Sequence, residues 1–132
     1  MIILDENFPE SQRQLLRGWR VPLRQIGYEV GRKGMQDEEI LPFLRHRRRT
    51  TFFTLDQGFY RRQLCHARYC LVCVDVGQYA AAVFVRRLLR HRHFDTEAKR
   101  LATVIRLSQR GLAVWRLHAE EEIHIDWSSW SA

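Results

Sequence analysis

The sequence predicts an α/β sandwich: a mostly parallel sheet with helices between its strands and a C-terminal β-hairpin. Three observations carry the prediction. Strand-like runs at residues 1–4, 50–55 and 70–74 each end at an acid, namely Asp5, Asp56 and Asp75. Continuous rather than alternating hydrophobicity marks strands buried on both faces, as in parallel sheets. Helix-like segments separate the runs, so the order is β-α-β-α-β. Residues 112–117 and 123–127 instead alternate like an exposed hairpin, with 118–122 as the turn.

Each element has its own local reason. Pro9 suits a first helical turn, and Leu15, Leu16 and Trp19 give the following helix an apolar face. Residues 21–26 read as a second strand, and Gly27, Gly31 and Gly34 mark a loop after it. Asp37 is a good N-cap for a helix reaching about Arg48, with Ile40, Leu41 and Leu44 as its buried stripe. Pro42 lies in its opening turns and removes one backbone bond. Thr50, Thr51, Phe52 and Phe53 are β-branched or aromatic, as strands prefer. Residues 58–67 read as a loop or short helix. Two further helices are expected at about 79–90 and 96–110, the second stopped by Gly111.

The chain has 132 residues, the size of one domain, so residues 1–132 are expected to share one core. No apolar run approaches the ~20 residues a membrane helix needs. The first residues lack a basic region and meet acids at once, which argues against a secretory signal peptide. Three cysteines is an odd number, and a domain this size builds a core without disulfides. A reducing, cytoplasmic setting follows as the expectation, with no membrane partner.

The net charge of +7 is unevenly spread: +2 over residues 1–60, +9 over 61–116 and −4 over 117–132. Twenty of the 22 cations are arginine, whose planar fork suits phosphate oxygens. A nucleic-acid partner is favoured, although an arginine-rich proteome would give the same bias.

The position of the acids is more telling. Asp5, Asp56 and Asp75 each end a predicted buried strand, and Asp37 starts a helix leading into one of them. Ligands of open α/β sheets bind beyond the carboxyl ends of the strands. Carboxylates gathered there repel one another unless a cation bridges them. Hard ions such as Mg²⁺ or Mn²⁺ take oxygen ligands and activate water for displacement at phosphorus. Taken singly, Asp37 is equally readable as a cap and Asp5 or Asp56 as a turn residue.

Residues 1–9, which include I-I-L-D-E-N-F-P, resemble the opening of the minimal PIN-like nucleases grouped with VapC-type toxins. So do G-M-Q-D-E-E-I at 34–40 and T-F-F-T-L-D-Q-G-F at 51–59. The resemblance covers about residues 1–60. It implies a PIN-like three-layer sandwich and Mg²⁺- or Mn²⁺-dependent cleavage of RNA. Asp5 matches the first acid, Asp37 the acid at the helix start and Asp56 the strand-end acid, with Glu6 and Glu38 as contributing neighbours. One position departs from the pattern: Gly58 stands where similar sequences place a second aspartate. Asp75 is the candidate for replacing that charge. The resemblance also implies an antitoxin-like protein partner; a homodimer is a separate expectation. The alternative is a non-catalytic nucleic-acid-binding or protein-interaction module with a degenerate site.

Arg61 and Arg62 follow Asp56 closely and adjoin Phe59 and Tyr60. Arginine for phosphate and an aromatic ring for a base is how single-stranded RNA is held, so Arg61, Arg62 and Tyr60 are the nucleic-acid candidates. Cys65, His66, Cys70 and Cys73 invite a zinc reading, but Cys70 and Cys73 are three apart on a strand and point to opposite faces. The remaining histidines show no pattern that singles out a general base.

Overall fold

The computed structural model describes residues 1–127. Its strands are β1 (Ile2–Leu4), β2 (Arg24–Gln25), β3 (Thr50–Thr54), β4 (Tyr69–Asp75), β5 (Thr103–Ser108), β6 (Gly111–Arg116) and β7 (Ile123–Asp126). They form one seven-stranded sheet in the order β2-β1-β3-β4-β5-β6-β7. The first five strands are parallel, and β6 and β7 return antiparallel as the C-terminal hairpin. The helices are α1 (Glu10–Gly18), α2 (Asp37–Arg47), α3 (Ala81–Leu89) and the single turn α4 (Glu97–Arg100). None is long and apolar enough to cross a membrane.

Period-2 alternation within buried strands builds two cores, one on each face of the sheet. Leu4, Phe53, Cys70, Val72 and Ile105 face α1 and α3, meeting Leu16, Val85 and Leu88. Ile3, Phe52, Leu71, Cys73 and Val104 face α2, meeting Ile40 and Leu44. The result is a three-layer α/β sandwich. Phe52 and Phe53 are adjacent and fully buried on opposite faces. Each ring gains about 1.5–3 kcal/mol from leaving water, so β3 ties the two cores together.

The crossovers do not share one hand. α2 passes over the Ile3–Phe52 face on the way from β2 to β3, and α3 passes over the opposite face from β4 to β5. Both steps run the same way across the sheet, so their hands are opposite. The β1–α1–β2 step lies on the α3 face but runs the other way across the sheet, so it shares the hand of β2–α2–β3 and leaves β4–α3–β5 as the odd one, in a class of connection that is nearly always right-handed. It sets α3 beside α1. Among the described residues, the other face near β5 and β6 is covered by short 3₁₀ turns at Gln57–Phe59 and Arg62–Leu64 instead of a helix.

Several expectations are corrected. Residues 96–110 are not one helix: α4 is four residues long and β5 follows it. Gly111 stops no helix. It opens β6, where an added Cβ would sit 2.0 Å from the Ile125 carbonyl oxygen. The hairpin is exposed only on its outer strand, because Gly111, Leu112, Ala113 and Val114 are buried. The second strand shrinks to Arg24–Gln25. On α1, Leu15 is exposed while Gln12 is buried, its Oε1 accepting the backbone N–H of Ala82 at 2.9 Å.

Candidate functional site

β1 lies between β2 and β3, so the chain leaves it first to one side and later to the other. This is a topological switch point, and the crevice it opens lies beyond the carboxyl ends of β1 and β3. Asp5 and Glu6 follow β1 there, and Asp56 follows β3 two residues past its end.

Asp5 is held from several sides. Its backbone N–H continues the ladder to the Phe53 carbonyl at 2.9 Å. Its Oδ1 accepts the Glu6 N–H at 2.8 Å and its Oδ2 accepts the Thr54 hydroxyl at 2.7 Å. The same Thr54 oxygen accepts the Asp56 N–H at 3.0 Å, and Asp56 Oδ1 accepts the Gly58 N–H at 2.8 Å. One buried threonine thus links the two strand-end acids. Beneath them, the buried Gln25 amide donates to the carbonyls of Asp5 and Phe8 at 2.9 and 3.0 Å, with a longer contact to Glu6 at 3.3 Å. That fixes the turn carrying Asp5.

The loop before α2 is tied to the same place. Gly34, at φ 79°, donates its N–H to Glu6 Oε1 at 2.8 Å. Only glycine takes that conformation without strain. The cap of α2 is Gln36, with the Glu39 carboxylate accepting its N–H, so Asp37 is the first helical residue and not the cap expected from sequence. Its carboxylate accepts no hydrogen bond among the described residues, whereas a capping aspartate would.

The electrostatics join these acids. Burial pushes the Asp5 carboxyl up; the Thr54 and Glu6 hydrogen bonds oppose this, and the charges of Asp37 and Asp56 add to the rise. Asp37 is also raised, first by loss of hydration and then by Asp56 and Glu38, with Arg61 opposing. Asp5, Asp37 and Asp56 therefore share one electrostatic neighbourhood. Glu38 acts on Asp37, while Glu6 is turned to Gly34. Asp75 ends β4 as expected and is exposed, but it is not among the charges that raise Asp5 or Asp37.

The donors are hard carboxylate oxygens, the chemistry that suits Mg²⁺ or Mn²⁺. Each Asp5 oxygen has a lone pair beyond its one hydrogen bond. Among the described residues, however, no three His, Cys, Asp or Glu side chains form a group that could hold a metal ion. The acids stand as a repelling set, not closed around a common centre.

The nucleic-acid candidates divide. Arg61 lies near enough to Asp37 to oppose its rise. The Arg62 guanidinium sits over the Trp115 ring at 5.1 Å. Tyr60 is engaged within the fold: its hydroxyl donates to Glu122, and Arg106 covers its ring at 5.1 Å. Phe59 is core, edge-on to Phe52.

Cys70 and Cys73 are buried in opposite cores, and burial pushes each thiol up to about 12. They cannot ligate one ion together. Sequence reasoning singles out neither Thr54 nor Gln25. Thr54 lies in the T-F-F-T-L-D-Q-G-F segment two residues before Asp56, so a signal for it exists; nothing marks Gln25. No family model matches the chain, and no curated protein or solved structure matches it either.

Proposed function

We propose that Asp5, Asp37 and Asp56 bind Mg²⁺ or Mn²⁺ and that the protein is a metal-dependent, PIN-like ribonuclease. The observation that supports this best is geometric: Asp5 and Asp56 stand just past the carboxyl ends of β1 and β3, joined through Thr54, with Asp37 close enough to add to the rise of the Asp5 carboxyl. A fold maintains repulsion among carboxylates at a cost, and a cation relieves it. Asp37 and Asp56 are exposed side chains that turn toward an ion without disturbing the core.

When bound, the cation supplies Lewis-acid polarisation of the phosphoryl group and a more acidic water. The chain's own residues do the rest. Thr54 and the Glu6 N–H orient Asp5, so it presents a fixed acceptor to the crevice. Gln25 stiffens the turn that carries it. Arg61 beside Asp37 offsets the charge of an incoming phosphodiester. The +9 of residues 61–116 attracts either the RNA or an acidic antitoxin-like partner.

A second reading is favoured by two observations: no three-carboxylate group forms among the described residues, and Gly58 stands in place of an acid. On that reading the chain is a binding module that does not cut. Purified protein incubated with single-stranded RNA and Mn²⁺ separates the two. The nuclease gives cleavage that chelator and Asp5→Asn both abolish. Binding without cleavage at any metal concentration supports the second reading.

A further inference from the structure

A cleft of about 670 Å³ opens at the opposite edge of the sheet, beside the amino ends of β1 and β2. Four arginines line it: Arg17, Arg20, Arg24 and Arg100. Its one acid, Glu97, is already paired with the Met1 amine and Arg49. Its apolar wall is formed by Ile2, Val21, Pro22 and Leu23.

Arg100 is the unusual member. It is only 5% exposed, yet no carboxylate pairs with it among the described residues. Its Nε donates to Thr51 Oγ1 at 2.9 Å and its Nη1 to the Phe94 carbonyl at 2.8 Å. Two neutral acceptors therefore fix the guanidinium plane. Nη2 makes no hydrogen bond among the described residues, and Arg100 is one of the residues that line the cleft. Burying a charge without a counter-ion is costly, and burial depresses this guanidinium below its ordinary value. An anion would offset that cost.

Arg20 points the same way. It holds φ 64°, in the left-handed region where glycine is the ordinary occupant, and it stands at the cleft with Arg24. Neither Arg20 nor Arg24 has a carboxylate partner among the described residues.

We propose that this cleft binds a phosphate monoester carried on a ring system, such as a mononucleotide. The phosphate would meet Arg100, Arg20 and Arg24, and the ring would lie on Val21, Pro22 and Leu23. Arginine forks are suited to phosphate oxygens. The same chemistry is presented by a free nucleotide and by the 5′-phosphorylated end of an RNA strand. This site is independent of the acids at the β1–β3 crevice.

Isothermal titration of the full chain with AMP, adenosine, inorganic phosphate and a 5′-phosphorylated oligonucleotide tests it. AMP is expected to bind more tightly than inorganic phosphate, and adenosine not to bind measurably. The double variant R20A/R24A, altered only at exposed side chains, should weaken AMP binding by roughly tenfold or more. Asp5→Asn should leave it unchanged. R100K keeps the charge but loses the fork and should weaken binding without loss of fold. Tighter binding of the oligonucleotide than of AMP, when R20A/R24A or removal of its 5′-phosphate abolishes the difference, assigns the site to an RNA end; tighter binding of AMP assigns it to a free nucleotide. The proposal is overturned if neither AMP nor the oligonucleotide binds, or if R20A/R24A binds AMP as well as the wild type does.

Discussion

Thr54 donates its hydroxyl to Asp5 across the β1–β3 pair while accepting the N–H of Asp56. One side chain thereby sets the position of two acids that repel. Thr54→Val keeps the shape but removes both functions. It should cost about 1–2 kcal/mol in urea unfolding, since the Asp56 N–H is left without its partner. It should also raise the Asp5 carboxyl further, because the Thr54 hydrogen bond lowers it. Unaltered stability would show that the Thr54 bridge is dispensable.

The pH dependence of stability has a definite sign. Asp5 and Asp37 are both raised from the ordinary 3.8. Just above pH 3.8 the unfolded chain has released these protons while the native state still holds them. Stability therefore falls as pH rises through that window, and the loss persists at neutral pH. Asp5→Asn should raise the thermal midpoint at pH 7, or leave it unchanged, and flatten the acid-side slope. Asn keeps one acceptor for the Glu6 N–H. A lowered midpoint at pH 7 would instead identify Asp5 as an ordinary hydrogen-bonded turn residue.

Arg61 and Arg62 are expected to differ in nucleic-acid binding. Removing one cation from a phosphate flattens the salt dependence by about one unit of slope. Arg61→Ala should show that change. Arg62 already covers Trp115, so Arg62→Ala should also alter tryptophan fluorescence. If Arg61→Ala keeps the wild-type slope, the phosphates are held elsewhere on the basic surface.

The strands nearest the site are legible in the sequence because burial on both faces leaves no alternation to misread. Residues 1–4 and 50–55 contain β1 and β3, and 70–74 lie within β4, each run with its acid where it stops. The region after residue 96 reads as helix and is mostly strand. Leu101, Val104 and Ile105 fit a helical stripe, but Thr103, Val104 and Ile105 are β-branched and Arg106 alone of β5's first five residues is exposed. Tertiary pairing with β4 and β6 decides it. The cap of α2 lies one position before Asp37, since Gln36 with Glu39 outcompetes the aspartate. Gln25 and Arg100 are illegible for a common reason: each is a polar side chain that becomes structural only when distant segments close over it.

The cysteines give a check on the two-core architecture. Cys70 and Cys73 are fully buried and their thiols are pushed up to about 12, whereas Cys65 is half-buried. A thiol reagent at pH 8 should modify Cys65 alone in the native protein and all three after unfolding. Fast reaction of a second native thiol would contradict the burial of β4.

The most direct test of the acid site is a Mn²⁺ titration of the thermal midpoint, run on the wild type and on Asp37→Asn. Asp37 accepts no hydrogen bond among the described residues, and asparagine is equally compatible with the helix start, so the substitution removes little but charge. At a hundredfold excess over its dissociation constant, an ion bound only by the native state adds about 2.7 kcal/mol. For a domain of this size that is roughly 5–10 °C. The wild type should show this rise, and Asp37→Asn should show little of it. A wild-type midpoint that does not move with Mn²⁺, or an equal rise in the variant, would contradict a metal role for the acids.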